Sequence, residues 1–127
     1  MPTVIDTPKA PQIKGVPIAQ AVRSGNLVFV SGITPFDLEG KLAKGDFRAQ
    51  MTRTMQNVGA ILEAAGTGFD RVVKCTVILA SQRDWGTMNE IYREFFPNGR
   101  YPARTAFQAP LPHPDFLVEV ECVAEVG

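Results

Sequence analysis

The clearest periodicity in the chain is helical and runs from residue 46 to residue 65. Apolar side chains recur there every three or four positions, which predicts a helix with one buried stripe. The stripe consists of Met51, Met55, Val58, Ile61, Leu62 and Ala65. Gly66 predicts the end of this helix, because glycine readily takes the left-handed conformation that closes many helices. A second amphipathic helix is predicted over residues 84–96, and Pro97-Asn98-Gly99 ends it.

Period-two alternation predicts the strands. It is strongest near the C-terminus, where Val118, Val120, Cys122 and Ala124 fall on one face and Leu117, Glu119, Glu121 and Val123 on the other. Residues 71–79 are predicted as a strand with Val73, Cys75, Val77 and Leu79 on one face and Val72, Lys74, Thr76 and Ile78 on the other. Shorter strands are predicted over 19–22 and 27–31, joined by a turn at 23–26, with an edge strand around Val4. Residues 34–45 read as a loop, and a further strand-like run after Pro102 carries Arg104.

The resulting order, β-β-α-β-α-β-β, predicts one α+β domain over residues 1–127. Two helices can cover only one face of a mixed sheet built from these strands. The other face would carry Thr76, Glu119 and Glu121 beside apolar residues of the same strands. A half-apolar, half-charged face suits contact with a partner subunit better than contact with water. We therefore expect a homo-oligomer.

Composition narrows the possible functions. The 13 basic and 13 acidic residues cancel, so the chain lacks the positive charge that nucleic-acid binding normally needs. One histidine, His113, and two distant cysteines, Cys75 and Cys122, do not supply a common metal site, a Ser-His-Asp triad or a Cys-His pair. The cysteines are expected to be free and buried. The N-terminus lacks the features of a signal peptide and the apolar runs are too short to span a membrane, so we expect a soluble cytoplasmic protein.

Arg104 and the two glutamates of the last strand are the candidate chemistry. An arginine can hold a carboxylate through two parallel hydrogen bonds, and a nearby glutamate can position or activate a water. The simpler alternatives are a structural ion pair for Arg104 and solvated surface charges for Glu119 and Glu121. The residue types alone leave both readings open.

An ordered set of motifs across roughly residues 15–125 resembles the RidA/YjgF family. The motifs are Val30-Ser31-Gly32, residues 57–66 (NVGAILEAAG), residues 72–77 (VVKCTV), Asn89 with Tyr92 and Phe95-Phe96, residues 101–104 (YPAR) and residues 118–121 (VEVE). The resemblance implies a chorismate-mutase-like α+β unit. It also implies a homotrimer whose sheets line a central barrel and whose ligand clefts lie between subunits.

The same resemblance implies an enzyme without metal or organic cofactor, a deaminase that hydrolyses an enamine or imine acid to a keto acid and ammonia. Arg104 falls where the family arginine binds the substrate carboxylate, and Glu119 where the family glutamate positions the water. Asn89 matches a family residue near the cleft, and Ser31 with Gly32 matches the loop after the second strand. Glu121 is expected to make structural or inter-subunit contacts.

Three positions depart from the family pattern: Ile18 replaces a tyrosine, Ile33 a glutamine, and Ala106 a polar or sulfur-bearing residue. A more apolar cleft is therefore expected, for a 2-aminoacrylate-type or 2-aminomuconate-type acid. One alternative is a non-catalytic module that binds carboxylate metabolites. A ribonuclease or chaperone-like activity is a third, although zero net charge and a single histidine argue against a nuclease. The sequence leaves open the physiological substrate, the proton donor and the roles of Glu121 and His113.

Overall fold

A six-stranded mixed sheet forms the centre of the computed structural model, which describes residues 2–127. The strands are β1 (Thr3–Ile5), β2 (Ala21–Ser24), β3 (Leu27–Ile33), β4 (Val72–Leu79), β5 (Ala103–Gln108) and β6 (Val118–Glu125). Their order across the sheet is β1-β2-β3-β6-β4-β5, and only β4 and β5 run parallel. The last strand of the chain therefore lies inside the sheet, whereas β5, which carries Arg104, lies at its edge.

Two helices, α1 (Phe47–Ala64) and α2 (Trp85–Glu94), form the second layer. Both predicted helices are thus present, and the start and end of α1 follow from its flanking residues. The Asp46 side chain accepts a hydrogen bond from the Ala49 N–H at 3.0 Å, which caps the first turn. Gly66 has a φ of 83°, and the Thr67 N–H donates to the Leu62 carbonyl, which closes the last turn as a Schellman motif.

The core lies between the helices and one face of the sheet. The alternation predicted for β6 is confirmed, since its apolar set is buried: Val118, Val120, Cys122 and Ala124. The predicted α+β class with both helices on one face is likewise confirmed. The opposite sheet face is left open and carries exposed Phe29 and Phe107. The homotrimer and its barrel stay predictions.

Two β-bulges interrupt the alternation of the strands, and the one in β4 corrects its predicted faces. Between Val72 and Lys74 the register of β4 against β6 shifts, so Val72 is 8% exposed and Val73 is 42% exposed, the reverse of the prediction. A similar shift in β3 lies between Val30 and Ile33, and both residues are buried although they are three positions apart. A bulge adds one residue to a strand and inverts the alternation beyond it.

Buried amide side chains fix the long loops to the core. Gln50 of α1 donates to the carbonyls of Ala43 (3.1 Å) and Asp115 (2.9 Å), and its Oε1 accepts from the Leu117 N–H at 2.8 Å. Gln50 therefore joins the 34–45 loop to the loop that precedes β6. Gln50 is a polar residue on the buried side of α1, and the apolar stripe predicted from the sequence does not include it.

Candidate functional site

Arg104 lies on the helix-covered side of the edge strand β5. Its register partner in β4 is the buried Cys75, so both side chains point towards α2. The Nη1 atom of Arg104 donates to Oδ1 of Asn89 at 2.8 Å. The structure thus brings together two of the residues predicted for the site, and Asn89 fixes the direction of the guanidinium.

Two aromatic rings of α2 also contact this guanidinium. Its carbon lies 4.9 Å from the ring centre of Tyr92 and 5.3 Å from that of Trp85. Such cation–π contacts are each worth about 0.5–1 kcal/mol at exposed sites. Trp85 is 44% exposed, whereas Tyr92 is buried. Burial, followed by the neighbouring Cys75 thiol, raises the pKa of Tyr92, so its ring stays neutral beside the arginine.

The Nη1 atom of Arg104 also donates to Sδ of Met88 at 3.6 Å, and the Nε and Nη2 atoms are left for a ligand. Within residues 2–127 no carboxylate lies within ion-pairing distance of this guanidinium. A hollow of about 350 Å³ adjoins it, and Tyr101, Pro102 and Arg93 complete its lining. An arginine that is fixed in place, lacks a counter-ion and borders open space is suited to bind the carboxylate of a small molecule.

Glu119 and Glu121 lie on the opposite face of the sheet from Arg104. Their register partners in β4 are Ile78 and Thr76, whose side chains point away from the helices. In addition, β4 separates β6 from β5, so the arginine and the glutamates are not on adjacent strands. A single chain therefore does not place the Arg104 guanidinium beside the Glu119 carboxylate.

The Glu119 carboxylate lies against the backbone of Gly32. A Cβ atom at position 32 would overlap Oε1 of Glu119, so a larger residue there would displace the end of this side chain, although the φ of Gly32 is an ordinary one. Burial first, and the charge of Glu121 second, raise the pKa of Glu119 above its ordinary value. This glutamate is thus a stronger base than an exposed one.

Ser31 and Ile18 border the same end of the open face. The Ser31 hydroxyl donates to the Ala19 carbonyl at 2.6 Å, and its N–H donates to the Gln20 carbonyl at 3.0 Å. These bonds hold the strand end next to Gly32 in place. Ile18 is exposed and lines a hollow of about 300 Å³ together with residues of β1.

This arrangement of strands, helices and site residues can be compared with known proteins. The family model described as "Endoribonuclease L-PSP" matches residues 9–126. The chain belongs to this family, which is also called YjgF/RidA. The match covers nearly the whole chain and confirms the resemblance that the motifs indicated.

Relatives within the YjgF/RidA family cover almost the full length. A 2-iminobutanoate/2-iminopropanoate deaminase of Mus musculus is 43% identical over 126 residues, which is 98% of this chain and 91% of the relative. The crystal structure of RidA from a Psychrobacter species has a TM-score of 0.89 and 37% identity over 98% of this chain and 99% of that one. The structure of E. coli TdcF with bound serine has a TM-score of 0.91 and 34% identity over 98% and 99% of the two chains.

Two of the positions that depart from the YjgF/RidA pattern lie on the helix side. Ile33 is 4% exposed and belongs to the core, because the β3 bulge turns it towards Val120. Its role as a cleft-lining side chain stays a prediction. Ala106 lies two residues beyond Arg104 on the same side of β5 and packs against the core.

Trp85 is not among the site residues predicted from the sequence, yet its ring contacts Arg104. The signal was present in the helical spacing: Trp85, Asn89 and Tyr92 lie four and three positions apart and so share one face of α2. The two cysteines are free and buried, as predicted, and face each other across β4 and β6. Hydrogen bonding to Cys75 and burial raise the pKa of the Cys122 thiol, which does not suit a nucleophile.

Within residues 2–127, no helix is both long and apolar enough to cross a membrane. The same residues contain no group of three or more histidine, cysteine or acidic side chains arranged to hold a metal ion.

Proposed function

We propose that this protein is a cofactor-free enamine/imine deaminase that converts a small carboxylate-bearing substrate into a keto acid and ammonia. The observation that carries the proposal is the geometry of Arg104, which Asn89 and two rings hold beside a hollow without a counter-ion. Relatives from mouse and human that are named 2-iminobutanoate/2-iminopropanoate deaminases support the reaction class. Zero net charge and one histidine favour this chemistry over RNA cleavage.

Arg104 would bind and orient the substrate carboxylate. The exposed indole of Trp85 and the hollow at Tyr101 leave room for a small side chain on either side of the guanidinium. We propose 2-aminoacrylate-type or 2-aminomuconate-type acids as substrates. An enamine of this kind first takes a proton on its β-carbon and releases one N–H proton to solvent, which converts it to the imine.

Glu119 would activate the water that attacks this imine. Its carboxylate accepts a proton from the water, the new C–O bond forms at the imine carbon, and the C=N π electrons move to nitrogen. The carbinolamine then loses its hydroxyl proton, the C–N bond breaks, and nitrogen leaves as ammonia carrying both protons of the water. The raised pKa of Glu119 makes it a suitable carrier for these protons.

The two halves of this site would meet across subunits of a homotrimer. Arg104 and Glu119 lie on opposite faces of the sheet in one chain, which supports a site made from two chains. Exposed phenylalanines on the open sheet face support its burial against another copy. In such a trimer, Ser31, Gly32 and Ile18 would contribute the rim beside Glu119.

The test measures ammonia release from freshly generated 2-aminoacrylate and 2-aminomuconate by wild type, Arg104→Ala and Glu119→Ala. Arg100→Ala serves as the matched control, because Arg100 is exposed and lies outside the Arg104 hollow. Loss of activity in the two site variants alone is expected. Full activity in Arg104→Ala would overturn the site. A wild type that is inactive on both substrates but binds keto acids would make the protein a carboxylate-binding module.

Mixing the two inactive variants tests whether the site is shared between subunits. If Arg104 and Glu119 of different chains form one site, co-refolded Arg104→Ala and Glu119→Ala chains regain about one quarter of the wild-type sites by random assembly. The double variant mixed with either single variant regains none. A monomer in sedimentation at micromolar concentration, or a mixture that stays inactive, would contradict the shared site.

A further inference from the structure

A second arginine site lies in a groove on the helix layer, away from Arg104. This outer groove has a volume of about 650 Å³ and lies between α1, α2 and the 34–45 loop. Leu42, Ala49 and Ile91 contribute apolar surface, and Arg53 contributes a cation. The outer groove shares no lining residue with the Arg104 hollow, because α2 separates the two.

Arg53 is held in the outer groove by a buried asparagine. Its Nε donates to Oδ1 of Asn57 at 3.1 Å. Asn57 is fully buried, and its Nδ2 donates to the carbonyls of Thr34 (3.0 Å) and Phe36 (2.8 Å). The Asn57 amide is therefore locked by the fold, and its free oxygen fixes the direction of the guanidinium.

The terminal nitrogens of Arg53 have no acceptor within residues 2–127, since the Nε–Asn57 bond is the only one this side chain makes there. The other cations of the outer groove are paired, Arg48 with Glu90 and Lys41 with Glu39.

The carboxylates of the outer groove do not occupy Arg53. Asp37 accepts hydrogen bonds from the backbone N–H groups of Lys41 and Glu39 at 2.9 Å each. The Lys41 bond is the main cause of its lowered pKa, and the nearby charge of Arg53 adds the smallest contribution, without an ion pair between the two side chains. Glu94 is exposed and forms no ion pair within residues 2–127. Arg53 is thus oriented by Asn57 but forms no ion pair within residues 2–127.

We propose that the outer groove binds a small molecule with a terminal oxyanion, a carboxylate or a phosphate ester, on a compact apolar body. The terminal nitrogens of Arg53 hold the oxyanion, and the apolar body lies against Leu42, Ala49 and Ile91. The fork of the guanidinium matches two oxygens of either group. This site does not depend on the deaminase activity.

The test is a titration followed by NMR of ¹⁵N-labelled full-length protein carrying Arg104→Gln, so that binding beside Asn89 is removed. The probes are benzoate, phenyl phosphate and neutral benzyl alcohol. We expect saturable shifts of amides 41–43 and 49–53 with at least one anionic probe and about tenfold weaker binding of benzyl alcohol. The stronger of the two anions identifies the carboxylate or the phosphate ester as the preferred group.

Adding Arg53→Gln should weaken binding of the preferred anion about tenfold or more, whereas adding Arg100→Gln should leave it unchanged. Arg53→Lys keeps the charge but loses the guanidinium fork, so an intermediate affinity is expected. An unchanged ¹⁵N spectrum outside the groove shows that each variant is folded. Equal binding by Arg53→Gln, equal binding of benzyl alcohol, or no saturable shift at these amides would overturn the proposal.

Discussion

The protein orients two arginines with the same device, an asparagine amide oxygen, but in different surroundings. Arg104 is bound by Asn89, which is partly exposed, and is enclosed by aromatic rings at the sheet edge. Arg53 is bound by Asn57 within the same helix, and that asparagine is completely buried because it also holds a loop. Asn89 thus orients the side chain that we propose binds the substrate, whereas Asn57 holds a loop as well as its arginine.

The largest expected difference between the two arginines is in activity. Arg104→Gln should lower kcat/KM for the imine substrate about 100-fold or more, since each hydrogen bond to a charged group is worth about 1.5–3 kcal/mol. Arg53→Gln should leave kcat/KM within about twofold, because surface changes away from a site are usually small. Steady-state ammonia release measures both. Similar losses in the two variants would break the comparison.

For stability, the order of the two sites should be reversed: replacing Asn57 at the Arg53 site should destabilise the fold more than replacing Asn89 at the Arg104 site. Asn57→Ala removes the donors of two loop carbonyls inside the protein and should lower the free energy of unfolding by about 2–4 kcal/mol. Asn89→Ala should lower it by less than about 1 kcal/mol, because Asn89 is partly exposed and bonds only to Arg104. Urea unfolding with unchanged m-values is the measurement. A more destabilised Asn89→Ala would show that the comparison is wrong.

Sequence reasoning predicted the parts of the fold that depend on local patterns. The helical period and Gly66 gave α1 almost to the residue, and the alternation of β6 gave its buried face. The bulges of β3 and β4 were not predictable, because Val72 and Val73 are equally apolar and β-branched. Which of them faces the core is decided by the pairing of β4 with β6, which no local pattern contains.

The candidate site was likewise predictable only where it depends on local motifs. Arg104, Asn89 and Glu119 were found from the motifs, but the relation between them depends on the strand order. Because β6 inserts between β3 and β4, β4 separates it from β5, and the phase of pairing puts Arg104 and Glu119 on opposite faces. The helical spacing of Trp85 and Tyr92 could have placed them beside Asn89 before the structure was known.

A smaller expected effect concerns ligand affinity at the Arg104 site, where aromatic rings contact the guanidinium. Trp85→Ala should weaken binding of pyruvate about two- to fivefold, since one cation–π contact is worth about 0.5–1 kcal/mol. Trp85→Phe should keep most of the affinity, because a ring remains beside Arg104. Isothermal titration measures both without relying on the fluorescence of the chain's single tryptophan. If Trp85→Ala binds pyruvate as well as wild type does, the Trp85 ring does not contribute to the Arg104 site.

The smallest expected effect is a pH shift that concerns only the Arg104 site, because the outer groove needs no base. Glu119 must be ionised to accept a proton, so activity should fall as pH decreases through its raised pKa. Glu121→Gln removes a negative charge that disfavours this ionisation, which lowers the pKa of Glu119. The acid limb of the kcat/KM profile should therefore move to lower pH. An unmoved limb would exclude Glu119 as the titrating base.

The three hydrogen bonds of Gln50 all go to main-chain atoms of the loops it joins. These hydrogen bonds do not depend on the identity of the loop side chains and depend only on the path of the backbone. Loop libraries that keep the length of the 34–45 segment and vary its residues should therefore retain the scaffold, whereas an insertion beside Ala43 should detach it. For an engineer, this chain separates the choice of loop chemistry from the choice of loop shape.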